Sequence, residues 1–160
     1  MTRELLLLRH GKAAASDPRG DRFRELKTKG KRSAQRIAIW LATQSLVPDY
    51  VISSDAERAI ATARKCSKAM GFPGHAIVTD ELLYLAPAEA LLYVLRQTPQ
   101  ECQRVMLVGH NPGLEQLIEL LCDPPPPLPD DHNLMPTTGL ARIAITVPWA
   151  DLAAGCGRLL

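Results

Sequence analysis

Apolar residues along this chain come in two rhythms. Short runs at Leu5–Leu8, Tyr50–Ile52, Ala76–Val78, Val105–Val108 and Leu140–Val147 have the length of strands, and the last is partly alternating and β-branched. Between them, longer stretches repeat apolar positions every three or four residues, as a helix does when one side faces a core. Thr28 to Gln44 sets Ala34, Ile37, Ala38 and Leu41 on one side. Glu57 to Met70 ends at Gly71, a residue suited to closing a helix, with Pro73 just beyond. Pro87 to Gln97 begins with proline where a first helical residue belongs and continues with Leu91, Leu92 and Leu95. Pro112 to Cys122 carries Leu114, Leu117, Ile118 and Leu121. Strand and helix alternating in this way predict an α/β layer structure with a largely parallel sheet. The unbroken runs Leu5–Leu8 and Val105–Val108 suit central strands covered on both faces. Asp123 to Pro136, "DPPPPLPDDHNLMP", is read as a stiff surface connector, because proline lacks the donor that helices and central strands need.

Composition narrows the picture. The 160 residues, 46% of them hydrophobic and 22% charged, fit one globular domain spanning 1–160. A formal charge of +2 and the lack of a Lys/Arg run argue against a nucleic-acid binder. Leu5–Leu8 is too short for a membrane span or a leader, and Cys66, Cys102, Cys122 and Cys156 are too scattered for a disulfide framework or a metal motif. A cytoplasmic protein with reduced thiols and no membrane association is expected.

Chemistry gathers at the ends of the predicted strands. In open α/β sheets, ligands bind beyond the carboxyl ends of the strands. Arg9 and His10 follow the first run, Gly109 and His110 follow "VMLV", and Arg58 falls in the first turn after "VISSDAE". Ser54 and Glu57, three apart, form a capping-box pattern, and Asp55 is read as a cap. Taken singly, a histidine at a strand end is more often structural and an arginine in a first turn more often solvated. If the two strands are neighbours, two imidazoles and two guanidiniums meet in a pocket suited to a doubly charged anion such as a phosphoryl group. His75 and His132 fall in turn and loop and are assigned nothing; Trp40 and Trp149 are read as packing residues.

The segments "LLRHGKA", "RELKTKG", "SSDAERAIAT", "VGHNPGL" and "TTGLA" together resemble the histidine phosphatase superfamily, and the short chain without an inserted subdomain is most similar to its SixA-type phosphohistidine phosphatases. The resemblance implies a phosphoglycerate-mutase-like fold, a three-layer α/β/α sandwich with a mostly parallel central sheet. It implies that His10 is the nucleophile, that Arg9, Arg58 and His110 bind the phosphoryl oxygens, and that neither a metal nor another cofactor is needed. The implied substrate is phosphohistidine on a signalling or phosphocarrier protein.

Departures from the family pattern sharpen that expectation. Asp55 stands where proline is usual and Ala61 where glutamine is common, while Thr62 is kept. The carboxylic acid that protonates an ester's leaving oxygen falls on Leu85, with Glu81 the nearest replacement. Loss of a general acid slows ester cleavage by about 10²–10⁴. A phosphorylated imidazole protonated on its other nitrogen needs no such acid. Two alternatives stand beside this reading: a phosphatase of small phosphate esters, and a non-catalytic phosphoprotein-binding module.

Overall fold

Leu5 to Leu8 lie fully buried in strand β1 (Arg3–Arg9), near the middle of a six-stranded sheet, in a computed structural model that describes residues 2–160. Alternate side chains of a strand point to opposite faces, so Leu5 and Leu7 enter one core and Leu6 and Leu8 another. Burial of each contributes roughly 1.5–3 kcal/mol. Helices α1 (Thr28–Thr43) and α2 (Glu57–Met70) cover the Leu6/Leu8 face. Helices α3 (Ala88–Arg96) and α4 (Gly113–Leu121) cover the other. The result is a three-layer α/β/α sandwich.

The remaining strands are β2 (Tyr50–Ser54), β3 (Val78–Asp80), β4 (Arg104–Gly109), β5 (Leu140–Ile145) and β6 (Gly157–Leu159), in the order β3-β2-β4-β1-β5-β6. The strands β3, β2, β4 and β1 run parallel, whereas β5 and β6 form an antiparallel edge. The sheet is therefore mixed beyond β1. The strand expected through Val147 stops at Ile145, ahead of Pro148. The run at Ala76–Val78 sits two residues early: Gly74–Ala76 form a 3-10 turn, and β3 begins at Val78. Strand β6 carries no apolar alternation and is held by backbone pairing to β5.

Other expectations are refined by packing. Trp149 is wholly buried and donates its indole N–H to the Cys102 carbonyl at 2.8 Å, but Trp40 is 42% exposed on α1 rather than packed. All four cysteines are free thiols. Cations that form no run in the sequence gather on one side of α1, because residues three and four apart share a helix face. Among the described residues no helix is long and apolar enough to cross a membrane.

Candidate active site

The register of β1 on β4 pairs Leu8 with Val108 and Arg9 with Gly109, so His10 and His110 emerge side by side from the carboxyl ends of adjacent parallel strands. Their ring centroids are 5.3 Å apart. The His10 backbone is held on both sides, its N–H donating to the Gly109 carbonyl at 3.1 Å and its carbonyl accepting from Thr138 N–H at 3.1 Å. The first turn of α1 presses on the residue that follows. A methyl group on Gly11 would come within 2.9 Å of the Gly30 carbonyl oxygen, which explains glycine after the histidine.

All four side chains are anchored by hydrogen bonds to the protein, and three of them keep a buried nitrogen without a partner. Arg9 Nη1 donates to the Met135 carbonyl at 3.0 Å, while its Nε is buried without a partner. Arg58 is 1% exposed, and it donates through Nη1 to the Asp21 carbonyl at 2.8 Å and through Nη2 to Asp21 Oδ2 at 3.0 Å. Its Nε has no partner either. His10 Nδ1 lies 2.8 Å from the Gly11 carbonyl. A carbonyl only accepts, so the ring proton sits on Nδ1 and the lone pair on Nε2. His110 Nε2 lies 2.8 Å from Ser54 Oγ, and its Nδ1 is buried and unpartnered. Leaving a buried donor unpaired costs about 1–3 kcal/mol, and three such nitrogens belong to these four side chains.

Burial sets the charge state of the imidazoles. Desolvation first, with the neighbouring Arg58 and Arg9 guanidiniums adding to it, pushes His10 down to about 4. Desolvation, then His10 and Arg58, push His110 down to about 3. Both rings are neutral at pH 7, the form a nucleophilic histidine requires. The arrangement supplies fixed cationic and N–H donors around a neutral imidazole nitrogen, which is the equipment for holding and attacking a tetrahedral oxyanion. Among the described residues no group of three or more His, Cys, Asp or Glu side chains is placed to hold a metal ion.

Several contributors escape a reading of the sequence. Ser54 does not close a capping box. Its Oγ accepts from Ala56 N–H at 3.2 Å and faces His110, and the α2 N-cap is Ala56, without a side-chain cap. Asp55 is not a helix cap but the ion partner of Arg22 at 3.2 Å. Asp21 orients Arg58 and accepts from the Tyr84 hydroxyl; that hydroxyl and then Arg58 hold the Asp21 carboxyl at about 2. Tyr84 meets the His110 ring edge-on at 5.6 Å. From the segment expected to carry an acid, Tyr84 is thus the side chain that touches the cluster, while Glu81 and Leu85 are exposed. Thr62 Oγ1 accepts from Gly11 N–H at 3.0 Å and donates to the Arg58 carbonyl at 2.7 Å, tying two of the segments together. The proline-rich connector is more than a spacer, since Met135 at its end accepts from both Arg9 and Asn111. His75 and His132 are exposed and take no part.

Ser54 determines which nitrogen of His110 carries hydrogen. Its oxygen accepts from Ala56 N–H, and among the described residues its own hydrogen has no acceptor other than Nε2, which puts the ring proton on Nδ1. Ser54→Ala is therefore expected to shift His110 away from the Nδ1–H tautomer and to weaken inorganic phosphate binding about tenfold, one hydrogen bond's worth. Two-dimensional ¹⁵N NMR of the ring and a phosphate titration check this.

The depressed histidines also make stability depend on pH. In the unfolded chain they bind protons near pH 6.5, whereas in the native state His10 does so only near 4. Stability contributed by the neutral ring is complete above pH 6.5 and declines as pH falls toward 4. Urea midpoints should drop across that window, and the drop should be smaller in His10→Gln.

Comparison with known proteins places this geometry. A family model described as "Histidine phosphatase superfamily (branch 1)" matches residues 5–83. The chain resembles the structure of a putative phosphohistidine phosphatase SixA from Agrobacterium tumefaciens, with 31% identity, a TM-score of 0.76, and coverage of 99% of this chain and 95% of that one. The putative phosphohistidine phosphatase SixA from Nakamurella multipartitia gives 26% identity, a TM-score of 0.80, and coverage of 100% and 94%. An uncharacterized protein of Mycobacterium tuberculosis (strain ATCC 25618 / H37Rv) is 26% identical over 157 residues, 96% of each chain.

Proposed function

Because the chain belongs to the histidine phosphatase superfamily, we propose that it is a phosphatase that passes a phosphoryl group through His10, and that its substrate is a phosphorylated histidine of a signalling or phosphocarrier protein. The observation that carries the reading is the convergence of the four side chains, each anchored to the protein, with nitrogens of Arg9, Arg58 and His110 left unpartnered beside a neutral His10.

In the first step His10 Nε2 attacks phosphorus, and the bond from phosphorus to the substrate's ring nitrogen breaks. The departing ring keeps the proton on its other nitrogen and leaves as neutral imidazole. The positive charge passes to the His10 ring, whose Nδ1–H still donates to the Gly11 carbonyl. Arg9, Arg58 and His110 donate to the phosphoryl oxygens throughout, the electrostatic and positioning role that phosphoryl transfer demands. Water then attacks, the P–Nε2 bond breaks, His10 returns to neutral imidazole with its hydrogen on Nδ1, and dihydrogen phosphate departs with both of the water's protons, free to release one to solvent. Donor and acceptor in the first step are both imidazoles, so transfer is nearly balanced in energy and no general acid is required.

The surrounding carboxyls favour this substrate over an ester. Asp21, the carboxyl that contacts Arg58, is ionised far below neutral pH, and Glu81 lies exposed. Asp21 therefore has no proton to give an alkoxide, and Glu81 makes no hydrogen bond to the four side chains. The test is a side-by-side assay of phosphoimidazole, p-nitrophenyl phosphate and sugar phosphates. Phosphoimidazole is expected to exceed the sugar phosphates in kcat/KM by about 10²-fold or more, while p-nitrophenyl phosphate, whose phenolate leaves without a proton, serves as the control for phosphoryl transfer itself. Dominance of the sugar phosphates defeats the leaving-group argument, and tight phosphopeptide binding without phosphate release would instead make the protein a binding module.

A further inference from the structure

The formal charge of +2 conceals a division. Residues 1–70 hold 15 of the 19 Lys and Arg but 7 of the 17 Asp and Glu, and residues 71–160 hold the remainder, with acids in excess. The fold converts this division along the chain into one across the sheet. The first half supplies α1 and α2 on one face, and the second supplies α3 and α4 on the other. Helix α1 has Lys29, Lys31, Arg32 and Arg36 and no acid. Helix α2 sets Arg64, Lys65 and Lys68 against Glu57 alone, whereas α4 carries Glu115 and Glu119 and no cation.

Folding does not explain the basic face. The α1 cations are exposed, and none of them takes part in an ion pair among the described residues. Lys29 and Lys31 crowd the N-terminal turn of α1, where the helix dipole disfavours positive charge. Lys29, Arg32 and Arg36 are spaced along one side of the helix, and the next position in that stripe is Trp40, 42% exposed. Arginine and tryptophan are the residues that most often dominate protein interfaces. The stripe also starts beside the active site: Lys27 N–H donates to the Lys12 carbonyl at 2.8 Å, two residues from His10, and Gly30 packs on the same segment.

We propose that the outer face of α1, extended by α2, is the docking surface for an acidic face of the phosphorylated protein substrate, with Lys29, Arg32 and Arg36 supplying charge and Trp40 an apolar contact. This rests on the phosphohistidine reading above. The surface acts on encounter and residence, not on the chemical step, because steering by complementary charge raises association rates and is screened by salt. A small phosphorylated imidazole reaches His10 without it.

The test compares two substrates, phosphoimidazole and an acidic histidine phosphotransfer domain phosphorylated with phosphoramidate, using wild type, the triple variant Lys29→Glu/Arg32→Glu/Arg36→Glu, and Trp40→Ala. For the protein substrate, kcat/KM is expected to fall by about 10–100-fold in the triple variant and to decline with added salt in wild type. It is expected to fall about tenfold in Trp40→Ala. For phosphoimidazole all three proteins should agree within about twofold, which also reports an intact fold. Equal rates of all three on the protein substrate, with phosphoimidazole turned over, overturn the docking surface alone. Failure of wild type on phosphoimidazole overturns the underlying functional reading instead. Binding to phosphatidylserine vesicles or duplex DNA that is lost in the triple variant, with protein-substrate rates unchanged, reassigns the face to those partners. Self-association lost in the same variant, again with rates unchanged, reassigns it to the acidic α3–α4 face of a second copy.

Discussion

His10→Ala is expected to lower kcat/KM for phosphoimidazole by at least about 10⁴-fold while leaving inorganic phosphate bound within a fewfold of wild type. The two halves of this result have separate causes. The substitution removes the Nε2 lone pair, without which no phosphoenzyme forms and the two-step route is closed. It leaves Arg9, Arg58 and His110, whose holding contacts run to Met135, Asp21 and Ser54 and not to His10. The fold should persist, because the removed ring is a desolvated group with one hydrogen bond to its neighbour's carbonyl. Steady-state kinetics, together with phosphate titration by calorimetry, measure both halves. Full activity in the variant would exclude the covalent route.

The second large effect is expected at Arg58. Arg58→Ala removes a desolvated charge from the proposed oxyanion site, a loss worth about 10²–10³ in kcat. It also releases Asp21, whose carbonyl and carboxylate both take hydrogen bonds from this guanidinium. Freed from its cation, that carboxylate would oppose the incoming phosphoryl group, so phosphate affinity should fall together with kcat. Arg58→Lys separates charge from geometry. An ammonium restores the cation but not the fork that meets Asp21 with two nitrogens. Recovery should therefore be partial, roughly tenfold of the lost rate. Complete recovery in the lysine variant would mean that charge alone matters and that the Asp21 contact is incidental.

How far the sequence alone carries can be judged from these same residues. Leu5–Leu8 and Val105–Val108 were legible as central strands because continuous apolar runs have few other uses, and their parallel pairing then placed His10 beside His110. Helix ends at Met70 and Arg96 were marked by Gly71 and by the loss of apolar spacing. The parts that escaped are those made by contacts distant in sequence. Nothing local to Asp21 announces that it will face Arg58, 37 positions on, or Tyr84, 63 positions on. Ser54 looked like a helix cap because the local pattern favours that role, and the competing partner, His110, lies 56 residues away. The basic face of α1 was hidden for a different reason. Its cations are interrupted by Gly30 and by Ser33, Ala34 and Gln35, and only the helical period of the backbone collects Lys29, Arg32 and Arg36 on one side.

The most direct measurement is to mix enzyme with ³²P-labelled phosphoimidazole, stop the reaction within milliseconds by alkaline denaturation, and map the labelled peptide. Label on the peptide containing His10, appearing and decaying at rates compatible with turnover and absent from His10→Ala, is the result expected. Label on another residue, or steady turnover with no labelled protein at any time, would contradict the account.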